Sequence, residues 1–380
     1  MIQPAKRLDT VQEYYFSKKL KEVRALAAAG KPIINMGIGS PDLQPPIQVL
    51  EAILNSLEDA NAHKYQSYQG LPELRQAITT FYKHKFSVDS NPESEVLPLM
   101  GSKEGIMHIS MAFLNEGDKV LIPNPGYPIY TSVTKVVGAK PLFYNLSDDT
   151  NWQPNFEVLE REDLTNVKLM WVNYPHMPTG TNATLKMFKK LIEFGKKHNI
   201  LIVNDNPYSF ILNNNPISIL QVDGAKDIAL ELNSLSKTFN MAGWRVGMLL
   251  GNSALINEVL KVKSNMDSGM FYGIQKGAIE ALHLSDSWFE EQNKIYEERR
   301  NLIWQLADKL DATYNKNATG LFVWAKIPEG KKSEEVTDTI LYDHDIFITP
   351  GTVFGSQGEG YIRFSLCVSS EIIKEAIARF

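Results

Sequence analysis

The sequence predicts an α/β protein with a large domain and a smaller α+β domain built from both termini. The large domain should contain a mostly parallel seven-stranded sheet flanked by helices, because short apolar runs alternate with helical stretches between about residues 95 and 250. Such alternation is typical of a sheet covered on both faces. Shorter strands and helices follow Gly320. We expect residues 46–280 to form the large domain, and 1–45 with 281–380 to form the small one.

The individual elements follow from apolar runs and helical periodicity. The strands expected in the large sheet are Val96–Met100, Lys119–Ile122, Lys140–Tyr144, Val167–Val172, Ile200–Asn204, Ile228–Asn233 and Val246–Leu250. Helices are expected at 17–29, 46–58, 72–85, 103–114, 127–137, 184–198, 253–265, 273–284, 286–310, 332–342 and 370–379. Further short strands are expected at Ile33–Met36, Leu321–Lys326, Ile346–Thr349 and Tyr361–Leu366. Ligands of parallel sheets bind beyond the strand ends, so the functional residues should follow the strands.

Composition and charge exclude several classes of protein. The 380 residues are 43% hydrophobic and 22% charged, as in an ordinary globular protein, and the net charge of -5 disfavours nucleic acid as a partner. Cys367 is the only cysteine, so no intrachain disulfide is possible and a reducing compartment fits. The N-terminus lacks the apolar core of a signal peptide, and no apolar run approaches the roughly 20 residues of a membrane helix. We expect a cytoplasmic protein without a membrane partner or a metal site.

One stretch after the strand Ile228–Asn233 carries a distinct chemistry. It presents Ser234, Ser236 and Lys237, with Arg245 eight residues after the lysine. A lysine that is held and partly desolvated is a nucleophile for an aldehyde, and the hydroxyls and guanidinium suit a phosphate. An aldehyde that carries a phosphate is pyridoxal phosphate. A lysine among serines is more often a solvated surface residue, so this interpretation depends on other motifs.

Other motifs at strand ends are individually weak. Gly101-Ser102-Lys103 follows a strand and opens a helix, where free amides form an anion site, although a serine there is more often an ordinary N-cap. Asp205 follows another strand in a sequence that also suits a plain turn. Arg363 lies between apolar residues on a strand, which is unusual unless the arginine is paired.

In this order the motifs resemble the class I/II aminotransferases, which are fold-type-I pyridoxal-phosphate enzymes, from about residue 33 to 366. The resemblance implies transfer of an amino group from an L-amino acid to a 2-oxo acid. The cofactor would be pyridoxal 5'-phosphate, bound as a Schiff base on Lys237. It also implies a homodimer with shared active sites.

The resemblance also assigns roles to individual residues. Lys237 would hold the cofactor and carry the proton, Asp205 would bind the ring nitrogen, and Tyr208 would donate to the ring phenolate oxygen. Tyr127 would stack on the ring. The phosphate would be bound by Gly101, Ser102, Lys103, Ser234, Ser236 and Arg245, and across the subunit interface by Tyr65. Arg363 and Gly39 would bind the substrate α-carboxylate.

One position departs from the family pattern. The family usually has Asn-Pro-Thr-Gly where this chain has Met177-Pro178-Thr179-Gly180, and that asparagine donates to the phenolate oxygen. A methionine cannot donate a hydrogen bond, so Tyr208 would be the remaining donor. We therefore hypothesise that the protonated Schiff base is favoured. Asn173 or His176 could instead compensate.

A second resemblance narrows the family. The segment from Lys263 to Phe271 is similar to the LL-diaminopimelate aminotransferase branch, as is the aromatic segment at Tyr14, which would reach substrate. A dicarboxylic or diaminopimelate-like amino acid is the substrate this implies. Two alternatives stay open, namely a carbon–sulfur β-lyase on the same scaffold and a non-catalytic ligand-binding protein.

Overall fold

The computed structural model describes residues 2–9, 11 and 15–380, with side chains described for 2–9, 11 and 19–380. The helices are α1 Tyr15–Ala28, α2 Ile47–Ser56, α3 Pro72–Phe86, α4 Ser102–Phe113, α5 Pro128–Val136, α6 Phe156–Leu159, α7 Leu185–His198, α8 Leu235–Thr238, α9 Ser253–Lys263, α10 Tyr272–Leu282, α11 Asp286–Lys309, α12 Ser333–His344 and α13 Ser370–Ala378. The strands are β1 Ile34–Asn35, β2 Val96–Leu99, β3 Lys119–Asn124, β4 Lys140–Asn145, β5 Val167–Val172, β6 Leu201–Asp205, β7 Ala229–Ser234, β8 Gly247–Gly251, β9 Thr313–Tyr314, β10 Phe322–Lys326, β11 Ile346–Phe347, β12 Thr349–Pro350 and β13 Tyr361–Ser365.

The large sheet has seven strands in the order β2-β8-β7-β6-β5-β3-β4. Strand β8 is antiparallel to both of its neighbours, and the pairs β7–β6, β6–β5, β5–β3 and β3–β4 are parallel. The prediction of a mostly parallel seven-stranded sheet flanked by helices is confirmed. The parallel strands bring their carboxyl ends to one edge of the sheet, and the segments after β3, β5, β6 and β7 meet there.

Helices cover both faces of this sheet, as alternating side-chain directions require. On β6, Leu201 and Val203 belong to a buried cluster with apolar residues of α4, α5 and α9. Ile202, between them, belongs to the opposite cluster, which contains apolar residues of α3 and α7. Burial on both faces explains why the sequences of these strands are nearly continuous apolar runs.

The remaining strands form two smaller sheets. Strands β12-β13-β10-β9 form an antiparallel sheet, and β1 pairs in parallel with β11. The expectation of one strand at Ile346–Thr349 is wrong, because this run is divided between β11 and β12, which belong to different sheets. The short elements α6 and β9 were not expected from the sequence.

The segment after β1 is fixed against the C-terminal part of the chain. Thr349 Oγ1 donates to the carbonyl oxygen of Gly37 at 2.9 Å. The buried Arg299 guanidinium donates from both terminal nitrogens to Asp42, at 2.7 and 2.8 Å. A bidentate pair of this kind is directional as well as strong, so residues 37–42 are held in one place beside β13. Among the described residues, no helix is both long and apolar enough to cross a membrane.

Candidate active site

A cavity of about 610 Å³ opens at the carboxyl ends of the parallel strands. It lies between the large sheet and the segment 37–42, with β10 and β13 on its other side. The predicted site residues that line it are Gly39, Ser102, Lys103, Tyr127, Asp205, Tyr208, Ser234, Ser236, Lys237, Arg245 and Arg363. Residues far apart in the sequence therefore meet in one place.

Two predicted residues do not line the cavity, and a third is not among the described residues. Gly101 lies behind it, against the guanidinium of Arg245. Tyr65 lies outside it and is 91% exposed. Tyr14 lies outside the described residues.

Lys237 lies in the short helical turn α8, immediately after β7. Its Nζ donates a hydrogen bond to the carbonyl oxygen of Gly39. Burial lowers the pKa of this amine, and the nearby cations Arg363 and Arg245 lower it further. A neutral amine is the nucleophilic form, so the site favours the state that attacks a carbonyl carbon.

Asp205, at the end of β6, is a buried carboxylate with one unused oxygen. Its Oδ2 accepts a hydrogen bond from Tyr130 Oη at 2.8 Å, whereas Oδ1 has no hydrogen-bond partner among the described residues. Burial raises the pKa of Asp205 to about 7, despite the opposing effect of the Tyr130 hydrogen bond. A positively charged N–H group beside Oδ1 would satisfy this oxygen and stabilise the charge.

Tyr208 and Asn173 line the same cavity as this carboxylate. Burial raises the pKa of Tyr208 well above its ordinary value, so its hydroxyl stays protonated and can donate. Asn173 Nδ2 donates to the backbone carbonyl of Asp205, and Asn173 Oδ1 accepts from Met177 N at 2.9 Å. Asn173 therefore ties the segment after β5 to the end of β6.

An anion site lies at the N-terminus of α4, where Ser102 is the first helical residue. Ser234 Oγ accepts from Ser236 N at 3.1 Å, and Ser236 Oγ accepts from Arg245 Nη1 at 3.4 Å. Free backbone amides, hydroxyls and a guanidinium thus converge, which suits a phosphate.

Close backbone approach makes this anion site possible. A Cβ on Gly101 would lie 2.1 Å from Arg245 Nη2, and the φ of Gly101 is +88°. A Cβ on Gly247 would lie 2.7 Å from Ser102 N. Both glycines are required, because any side chain would displace the groups that face the anion.

Arg363, on β13, also lines the cavity. Its guanidinium carbon is 3.9 Å from the ring centre of Phe322 and 4.5 Å from that of Phe354. Nη2 donates to the carbonyl oxygen of Gly37 at 2.8 Å, and Nη1 lies 3.4 Å from the Met177 sulfur. These contacts hold the planar fork in the orientation that a carboxylate can bind.

These residues fit pyridoxal phosphate. The anion site suits the phosphate, the unused oxygen of Asp205 suits a protonated ring nitrogen, and the amine of Lys237 suits the aldehyde. Of the two residues proposed to compensate for Met177, Asn173 lines the cavity, and one of its two amide N–H groups donates to the backbone carbonyl of Asp205. His176 does not line the cavity, and its Nδ1 lies 2.8 Å from Thr179 Oγ1.

Comparison with known proteins decides the family. The sequence model of "Aminotransferase class I and II" matches residues 31–380. The chain belongs to this family. Enzymes of the family use pyridoxal 5'-phosphate, so the protein is a pyridoxal-phosphate-dependent aminotransferase.

Individual relatives match this chain over almost its whole length. LL-diaminopimelate aminotransferase from Aquifex aeolicus is 39% identical over 381 residues, which cover 100% of this chain and 98% of the relative. The enzyme of that name from Dehalococcoides mccartyi strain 195 is 38% identical over 377 residues, covering 99% and 97%. The structure of apo-BacF from Bacillus subtilis matches with a TM-score of 0.95 at 34% identity, covering 100% of this chain and 98% of BacF.

Two residues that support Asp205 were not predicted from the sequence. Tyr130 is a fully buried phenol that donates to its carboxylate and stacks on Trp171, with ring centres 5.0 Å apart. Glu231 is a fully buried acid in the middle of β7. The sequence does contain a signal for Glu231, because a carboxylate inside an apolar run is unusual unless it has hydrogen-bond partners.

A second buried polar cluster lies on the far side of α4. Single ligand atoms of Glu104, His108 and Asp267 lie within 4.8 Å of one another, an arrangement that could hold a metal ion. Lys263 Nζ, however, donates to both carboxylate oxygens of Asp267, at 3.0 and 2.8 Å. The ammonium already supplies the positive charge that this carboxylate needs.

The raised pKa of Asp205 predicts the pH dependence of stability of the cofactor-free protein. The folded state retains this proton up to about pH 7, whereas an unfolded aspartate loses it near 3.8, so the free energy of unfolding falls between these values. Asp205→Asn removes the titrating group and therefore this loss of stability. Between pH 5 and 7 its advantage in urea unfolding should grow by about 1.4 kcal/mol per pH unit. Asp343→Asn, at an exposed surface position, is the control. A constant difference between wild type and Asp205→Asn would contradict the prediction.

Proposed function

We propose that the cavity is the transamination site and that its residues act as the family resemblance implies. The observation that carries the proposal is the presence, in one cavity, of the buried amine of Lys237, the unused carboxylate oxygen of Asp205 and the guanidinium of Arg363. Lys237 would hold the cofactor as a Schiff base. Residues 46–280 would form the cofactor-binding domain, and residues 1–45 with 281–380 the smaller domain.

Some residues of the cavity would bind the substrate, and others would hold or transfer protons. Arg363 and the backbone at Gly39 bind the α-carboxylate and so place the substrate Cα near Lys237 Nζ. When bound, the cofactor supplies an electron sink for the bond that breaks at Cα. Once the substrate amino group has taken its place on the cofactor, Lys237 Nζ is a neutral amine beside Cα and would take the proton from that carbon as the general base. Asp205 keeps the facing ring nitrogen protonated, and Tyr208 donates to the ring oxygen.

The relatives indicate a first substrate to test. Proteins that are 38% and 39% identical over nearly the whole chain carry the name LL-diaminopimelate aminotransferase. A dicarboxylic or diaminopimelate-like amino acid is therefore proposed as a substrate, with a 2-oxo acid as acceptor. The alternative of a carbon–sulfur β-lyase finds no support among these relatives. We also propose a cytoplasmic location, which fits the single buried cysteine.

The half-reaction tests the proposed function. Adding LL-diaminopimelate to the cofactor-bound protein without any oxo acid should remove the visible band of the lysine-bound cofactor. One equivalent of 2-oxo acid should form per site, because the amino group stays on the enzyme. Lys237→Ala should show neither change. Repeated release of ammonia with the band unchanged would instead establish a lyase, and absence of any reaction with a panel of L-amino acids would contradict the proposal.

We further propose a homodimer in which each active site receives Tyr65 from the other subunit. Tyr65 is 91% exposed and lies outside the cavity of its own chain, as a residue that serves a neighbouring site would. It begins a polar loop that packs against the segment near Gly269, where a Cβ would lie 2.4 Å from the carbonyl oxygen of Gln66. The loop is thus held in a defined position while its tyrosine points outward.

Subunit complementation tests this arrangement. Lys237→Ala and Tyr65→Ala proteins should each have low activity. Mixed dimers should contain one intact site, with Lys237 from one subunit and Tyr65 from the other. With random pairing, the co-expressed pair should regain about one quarter of the wild-type activity. Activity equal to the mean of the two parent variants would show that the sites are not shared.

The methionine at position 177 has a spectroscopic consequence. In Met177→Asn the amide oxygen can accept from Arg363 Nη1, while the amide nitrogen can donate to the cofactor's phenolate oxygen. That hydrogen bond stabilises the deprotonated Schiff base, so its pKa should fall by about one unit, or roughly 1.4 kcal/mol. Absorbance titration measures it. Met177→Leu supplies no donor and should leave the pKa unchanged, and an equal fall in both variants would contradict the explanation.

A further inference from the structure

The wall of the cavity around Arg363 is apolar. The guanidinium lies between the rings of Phe322 and Phe354, and its Nη1 faces the sulfur of Met177. The surroundings of a bound carboxylate would therefore be two aromatic rings and a thioether, besides the Gly37 carbonyl oxygen that accepts from Nη2.

Two further apolar side chains extend this wall. Ile38 precedes Gly39, where a Cβ would lie 2.3 Å from Phe322 Cζ, so the segment runs directly along that ring. Leu20, on α1, also lines the cavity and packs with Ile38 against the same small cluster, which contains Val23. Leu20, Ile38 and Phe322 form a continuous surface, which we call the apolar wall.

The charged groups of the cavity lie elsewhere. Among the described residues that line it, the charged ones are Lys103, Asp205, Lys237, Arg245 and Arg363. The first four are assigned above to the cofactor, which leaves one guanidinium for the substrate. That guanidinium binds one carboxylate, so a second charged end placed on the apolar wall would lose its hydration without gaining a partner.

We infer that the site takes L-amino acids with apolar side chains, such as leucine, methionine and phenylalanine, as a substrate class of their own. The side chain would lie on the apolar wall while Arg363 binds the α-carboxylate. This inference rests on the proposed transamination site. It narrows the substrates proposed above: a diaminopimelate-like amino acid fits, because its methylene chain can contact the same wall while its far end extends beyond it, whereas a short dicarboxylic amino acid does not.

The first test compares amino donors in the half-reaction of the cofactor-bound enzyme. L-Leucine or L-phenylalanine should have a kcat/KM at least about ten-fold above that of L-alanine, because each apolar group added on the wall contributes binding. L-Aspartate should fall below L-alanine. If L-leucine and L-phenylalanine do not exceed L-alanine while LL-diaminopimelate reacts, the apolar substrate class is overturned and the transamination site stands. If no amino acid reacts, the proposed function fails and the inference fails with it.

The second test changes the wall itself. Leu20→Asn keeps the side-chain size but makes the surface polar, and it should lower the ratio of kcat/KM for L-leucine to that for L-alanine about ten-fold. Leu26→Asn is the matched control, because Leu26 is on the same helix and likewise partly buried but does not line the cavity. An unchanged ratio in Leu20→Asn, or an equal fall in both variants, would overturn the assignment of the wall. Thermal unfolding of both variants checks that the fold is kept, and the ratio is independent of the fraction of folded enzyme.

Discussion

The buried carboxylate of Glu231 fixes the geometry on which the cavity depends. Its Oε1 accepts from Tyr82 Oη at 3.1 Å and Asn206 Nδ2 at 3.3 Å, and its Oε2 accepts from Ile219 N at 3.0 Å and Asn204 Nδ2 at 3.2 Å. Burial raises the pKa of this acid, and an unpaired charge in such a position would cost several kcal/mol. Four donors offset this cost, and all four residues lie outside β7. Residues on either side of Asp205 are thereby held to the neighbouring strand.

The same network reaches the segment after β5. Asn204 Oδ1 accepts from Tyr174 N at 3.0 Å, while Asn173 donates to the carbonyl of Asp205. The segment after β5 is thus connected to the end of β6 through amide side chains rather than through apolar contacts. Polar networks of this kind are directional, so they set positions more narrowly than packing alone does. The cofactor's ring nitrogen and oxygen would be recognised by groups held in this way.

The sequence predicted the large sheet because burial on both faces leaves an unambiguous pattern of apolar runs. It also predicted that the segments after several strands come together, since the carboxyl ends of parallel strands lie at one edge of the sheet. The contacts around Arg363 could not be predicted, because Phe322, Phe354 and Met177 come from three separate segments whose approach depends on the packing of the two sheets. The break between β11 and β12 at Ile348 was not predicted for a related reason. A short extended segment has the same sequence pattern whichever sheet it joins.

The conformation of Gly101 and its contact with Arg245 constrain how this sequence can change over evolutionary time. A side chain at position 101 would displace the guanidinium and would also strain the backbone, whose φ there is +88°. Loss of the arginine relieves the steric conflict but not the strain. Alanine at 101 therefore carries a cost in descendants with or without Arg245, so we expect the glycine to persist longer than the arginine.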